Sequence, residues 1–221
     1  MAKRKQIASL IIGFLGAIIG LLCVWAFNQY LLITLPLALR MITMIIVYWL
    51  IVLVPTILMI NNKDTLTDYG FNKNKVELQI ILGVSIGIAM SLILTLLPHL
   101  LGLGKNVDNG KRYTQLWQFC YEFVYCIIAV GFVEEFVFRG FVFEKIKRIT
   151  NKNTMAVIVS SLLFGVFHFL SGNIVQMILT GFIGAFFCLC KLKIKNCSML
   201  SLVIAHGIYD ALITVWASVL L

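Results

Sequence analysis

An all-α, polytopic transmembrane helix bundle of about seven spans is the fold class this sequence predicts, and three observations predict it. Hydrophobic residues make up 61% of the 221, charged residues only 12%, and mean hydropathy is +1.01. Soluble domains carry about 25% charged residues, so this chain has too few to cover a water-facing surface. Its apolar residues fall in runs of about 20, the length that crosses a hydrocarbon core. Its basic residues lie in short groups between those runs, where loops would hold them against an anionic leaflet. The net charge of +9 therefore points to the bilayer and not to nucleic acid.

The spans follow in order as 7–27, 41–60, 78–98, 116–143, 154–171, 174–190 and 198–220. The first follows Lys3, Arg4 and Lys5 like a signal peptide, but it is long for one and no small-x-small cleavage site follows it. It reads as a retained anchor. Leu31 to Leu39 is apolar but short and holds Pro36, which makes it an interfacial segment. The fourth run turns polar towards its C-terminus, where it bends or emerges. Six cysteines (Cys23, Cys120, Cys126, Cys188, Cys190, Cys197) lack CxxC spacing and read as small apolar filler.

Orientation comes from the loops. With the N-terminus in the cytoplasm, thirteen Lys and Arg fall inside, while Arg40, Lys105, Lys111 and Arg112 fall outside. That bias predicts N-in and C-out. Residues 1–112 form N-terminal transmembrane helices and 113–221 a C-terminal bundle, one membrane domain overall with no soluble domain.

Ionisable groups inside a bilayer cost roughly 2.5–3.5 kcal/mol each at a helix centre, so they are functional candidates. Those within or near spans are Glu77, His99, Glu122, Glu134, Glu135, Arg139, His168, His206 and Asp210. Glu135 and Arg139, Phe164 and His168, and His206 and Asp210 are each four residues apart, which stacks each pair on one helix face. At 1.5 Å per residue, Glu134 lies about 16 Å from Lys145, His168 about 24 Å from Lys152, and His206 and Asp210 about 16 and 22 Å from Lys195. Three helices thus carry polar groups to mid-membrane depth, and the clusters are expected to meet. Glu122 and His99, near outer helix ends, have no partner at matching spacing and read as packing residues.

A carboxylate beside an imidazole can deprotonate water, and a second imidazole can stabilise the oxyanion of an attacked carbonyl. The same side chains could instead ligate a divalent metal such as zinc. Residue types do not separate a free water from a metal-bound one, so the cofactor is either none or such a metal.

Glu-Glu-x-x-x-Arg at 134–139, Phe-x-x-x-His at 164–168 and His-x-x-x-Asp at 206–210, in that order on successive late helices, resemble the CAAX protease and bacteriocin-processing family (the type II CAAX prenyl endopeptidase, or Abi, group). The resemblance covers about 115–215, and Asp68-Tyr69-Gly70-Phe71 resembles a further family element. It implies a glutamate-dependent intramembrane endopeptidase acting on membrane-embedded peptides or proteins. Glu134 would be the general base and His168 would help activate water. His206 and the residue at 210 would form the oxyanion site, with Glu135 and Arg139 organising the first helix. Many members have Asn where this chain has Asp210. A carboxylate donates no hydrogen bond unless protonated, so Asp210 must be protonated, orient His206 or bind metal. The Lys-, Asn- and Ile-rich composition is common in AT-rich bacterial genomes, so a bacterial cell membrane is the expected location, where bacteriocin or pheromone processing, or self-immunity, fits the family. Two rivals from other classes are a non-catalytic membrane scaffold that keeps the fold, and a small transporter. The transporter would show broken helices in both halves, whereas here the polar groups occupy one.

Overall fold

The structure, a computed structural model, describes residues 3–104, 110–171 and 174–220. Lys105, counted above among the outside basic residues, lies outside them. Most of the described residues are helical, and none of them forms a strand. The helices are α1 (Lys3–Ala26), α2 (Leu37–Tyr48), α3 (Leu50–Asn61), α4 (Val76–Ser91), α5 (Leu97–Leu100), α6 (Leu116–Tyr125), α7 (Phe132–Glu135), α8 (Phe143–Thr150), α9 (Asn153–Phe167), α10 (Ile174–Lys193) and α11 (Met199–Leu220). Short π-helical or 3₁₀ steps extend or join several of them.

Six helical stretches among the described residues are long and apolar enough to cross a membrane: Lys3–Thr34, Leu37–Asn61, Val76–Leu100, Asn153–Leu170, Ile174–Lys193 and Met199–Leu220. The 116–143 run is helical too, but carries Glu122, Glu134, Glu135 and Arg139. The chain is thus a multi-pass membrane protein. Leu31 to Leu39 is not a separate segment. A π-helical turn and a 3₁₀ turn carry the first span on to Thr34, and Pro36 then precedes α2, whose fixed φ suits a helix start.

The chain forms two compact units. The first comprises Met1–Asn72 and Val133–Met199. In it α1 lies against α3, and α9 pairs with α10. Small residues let these helices approach: a Cβ on Gly20 would stand 2.6 Å from the Ile51 Cα, and one on Gly165 would stand 2.6 Å from the Met177 carbonyl oxygen. Close backbone approach of this kind maximises packing where lipid supplies no hydrophobic drive. The loop after α3 is tied down by charge. Asp64 accepts from Lys145 Nζ and from Arg148 Nη1, each at 2.7 Å, and from the Tyr69 hydroxyl at 2.8 Å. Lys145 and Tyr69 have no exposed surface. Gly70 takes φ +90°, a conformation glycine adopts without Cβ strain, and its carbonyl accepts from Met199 N at 3.1 Å.

The second unit comprises Lys73–Phe132 and Leu200–Leu221. Its buried carboxylate is Glu122, which accepts from Lys111 Nζ at 2.6 Å, from the Tyr113 hydroxyl at 2.9 Å and from the Thr214 hydroxyl at 3.1 Å. The packing residue of the sequence reading thus has three partners from outside its own helix, besides the Cys126 thiol four residues on, whose Sγ lies 3.7 Å from Oε1. His99 bonds the Thr95 carbonyl within its own helical stretch through Nδ1, at 2.9 Å.

Candidate active site

Glu134 and Glu135 end α7, and the chain then widens into a π-helical segment, Phe136–Val142. Such segments recur at functional sites because they reposition backbone and side chains. Side chains of other helices hold this one. The Ser160 hydroxyl donates to the Phe138 carbonyl, and Lys191 Nζ to the Arg139 carbonyl, both at 2.8 Å. Lys191 also bonds Glu144 at 2.9 Å.

Glu135 and Arg139 pair within this stretch at 3.1 Å, and neither has exposed surface. The Arg139 guanidinium lies 4.1 Å from the Phe164 ring centroid and 5.4 Å from that of Phe187. A desolvated guanidinium over aromatic faces gains from their quadrupoles. Gly184 leaves room for the Phe164 ring beneath it, since a Cβ there would come 3.1 Å from Phe164 Cδ1 and 3.3 Å from Ser161 Cα.

His168 follows α9 and opens the 3₁₀ turn His168–Ser171. Its Nδ1 is 2.9 Å from the Phe164 carbonyl oxygen. A carbonyl can only accept, so Nδ1 carries the hydrogen and Nε2 of the neutral ring is left with a lone pair. That Nε2 lies 3.9 Å from Glu134 Oε2. Two acceptors face each other across a gap longer than a direct hydrogen bond and suited to a bridging water. Glu134 is 3% exposed and His168 about one-fifth exposed, so the carboxylate is enclosed and the imidazole is its accessible partner.

One partner of Glu134 comes from an unexpected place. The Tyr48 hydroxyl donates to Glu134 Oε1 at 2.5 Å, across 86 residues of sequence. Tyr48 closes α2 where the backbone tightens: Trp49 N bonds Ile46 O and Val52 N bonds Trp49 O, each at 3.2 Å. No ionisable signal marks Tyr48. The available clue is a hydroxyl in the middle of the 41–60 run, away from the ends where interfacial tyrosines gather.

In the second unit His206 Nε2 lies 3.4 Å from Asp210 Oδ2 on α11, with the imidazole 5% exposed. The four-residue spacing thus brings these two together, as it does Glu135 with Arg139. No group of three or more His, Cys, Asp and Glu among the described residues is arranged to hold a metal. Within the first unit Glu135 is engaged by Arg139, while Glu134 and His168 face each other.

A comparison with protein families matches residues 115–212 to the family described as Rce1-like, type II CAAX prenyl endopeptidase. Neither a curated protein nor a solved structure matches the chain.

Proposed function

We infer, from the premise that residues 115–212 are a type II CAAX prenyl endopeptidase domain of the Rce1-like family, that this protein is a glutamate-dependent intramembrane endopeptidase. The observation that carries the reading is the facing of Glu134 Oε2 and His168 Nε2 at 3.9 Å. A water held there donates one hydrogen to each acceptor. Glu134 takes a proton from it as the oxygen adds to the scissile carbonyl carbon, and returns that proton to the departing amine. His168, held by the Phe164 carbonyl, aims the water. Glu135 acts through Arg139: the pair fixes the helix on which Glu134 sits.

His206 is the oxyanion donor in this scheme. Asp210 orients the ring by accepting from Nε2–H, a role a carboxylate can fill in place of Asn, and the oxyanion then takes the Nδ1–H of the doubly protonated imidazole. The substrate is a membrane-embedded or membrane-adjacent peptide, with bacteriocin or pheromone processing, or self-immunity to a bacteriocin, as its setting. The protein lies in a bacterial cell membrane, N-terminus inside and C-terminus outside, as the basic loops favour.

The test is hydrolysis of a quenched-fluorescent apolar peptide co-reconstituted with the purified protein in phosphatidylethanolamine–phosphatidylglycerol vesicles. Glu134→Ala and His168→Ala are expected to lose cleavage about 100-fold or more, as removal of a general base does. Two folded variants with wild-type rates would refute the reading. Chelator treatment is expected to leave the rate unchanged; a loss restored by zinc would move water activation onto a metal.

A further inference from the structure

Glu134 has two oxygens, and the structure treats them differently. Oε2 faces His168 at 3.9 Å, while Oε1 accepts from the Tyr48 hydroxyl at 2.5 Å. An O–H···O contact of that length is characteristic of a hydroxyl bound to an ionised carboxylate. Tyr48 lies outside the matched residues 115–212, on a helix of the N-terminal segment. It is half-buried, and the tight backbone step at Trp49 ends its helix directly after it.

We propose that Tyr48 is a positioning residue that decides which oxygen of Glu134 does the chemistry, a role that rests on Glu134 being the general base. With Oε1 occupied by the phenol hydrogen, the carboxylate cannot rotate about its terminal torsion without losing a charge-assisted bond. Oε2 is therefore the oxygen that receives the proton when the O–H bond of water breaks. The hydroxide's electron pair forms the new C–O bond. On collapse of the tetrahedral intermediate the C–N bond breaks, and the proton passes from Oε2 to the amine nitrogen. Tyr48 keeps its own proton throughout. Its contribution is orientation of the base, which affects turnover and not substrate capture.

Tyr48→Phe keeps the ring and removes only the hydroxyl. Expected is a fall in kcat of about tenfold or more, the scale of one hydrogen bond to a charged group, with KM unchanged. In a Glu134→Asp background, whose shorter side chain no longer reaches the phenol, the same substitution should have little further effect. A second measurement needs no substrate. The infrared difference between wild type and Glu134→Gln isolates the Glu134 carboxylate band, and that band should move in Tyr48→Phe. An unchanged kcat, a change in KM alone, a full-sized effect repeated in the Glu134→Asp background, or an unmoved band would each overturn the proposal. If Glu134→Gln hydrolyses peptide like wild type, Glu134 is not the general base and the glutamate-dependent reading itself falls. If Glu134→Gln is inactive and Tyr48→Phe is normal, only the role of Tyr48 falls.

Discussion

Arg139 carries a full charge with no exposed surface, and Glu135 beside it is equally enclosed. Breaking one side of such a pair strands the other charge in low dielectric and costs about 3–5 kcal/mol. Glu135→Gln should therefore lower the melting temperature in detergent sharply, whereas a role confined to catalysis would leave it in place. Arg139→Lys should not restore the wild type, because a compact ammonium cannot lie flat over Phe164 and Phe187. Asp64 behaves differently because it lies in a loop. Burial pushes its carboxyl up, but hydrogen bonds from Lys145, Arg148 and Tyr69 outweigh that and hold it below its ordinary value of 3.8. A carboxyl that binds its proton more weakly when folded stabilises the fold fully above the unfolded value, and that stability is lost as pH falls through the lower folded value. Thermal melts against pH should show this acid-side loss in wild type, and a smaller one in Asp64→Asn. The membrane glutamates were legible in the sequence because charge in lipid is expensive. Tyr48 was not, because a phenol in an apolar run costs little and its target lies 86 residues away.

At the scale of elements, the α9–α10 pairing bears on the site directly, since Gly165 precedes His168 by one turn. A branched side chain at Gly165 would meet the Met177 carbonyl and the Gly181 backbone. Gly165→Val is expected to push the helices apart, lowering both the melting temperature and peptide hydrolysis, where an Ala substitution at the exposed Leu162 should change neither. The long apolar runs were readable as helices because about 20 such residues have few other options in a bilayer. The π-helical widening after Glu135 was not readable. It is held by Ser160 and Lys191 from later helices, and nothing local distinguishes Phe136–Val142 from an ordinary apolar turn. The latch between Asp64, Lys145 and Arg148 was hidden for a similar reason, as each charge taken alone looks like a solvated loop residue.

For the molecule as a whole, six apolar spans predict that it stays with the membrane pellet through alkaline carbonate extraction. The N-in, C-out assignment predicts that alkaline phosphatase fused after Leu220 is active, and that the same enzyme fused after Lys63 is not. Composition and basic loops sufficed for the membrane class, since they act through the whole solvent and not through any one contact. They could not reveal that the first unit joins residues 1–72 to 133–199. That discontinuity bears on how the chain is made. Helices enter the bilayer in order from the N-terminus, so the segment that carries Arg139 precedes those that carry Phe164 and Phe187. Its counter-ion lies four residues earlier on the same segment, and the charge therefore travels into lipid already neutralised. Glu134 belongs to the same segment, after Tyr48 and ahead of His168 in the order of synthesis. In the proposed mechanism the base is thus made after the hydroxyl that orients it and before the imidazole that shares its water.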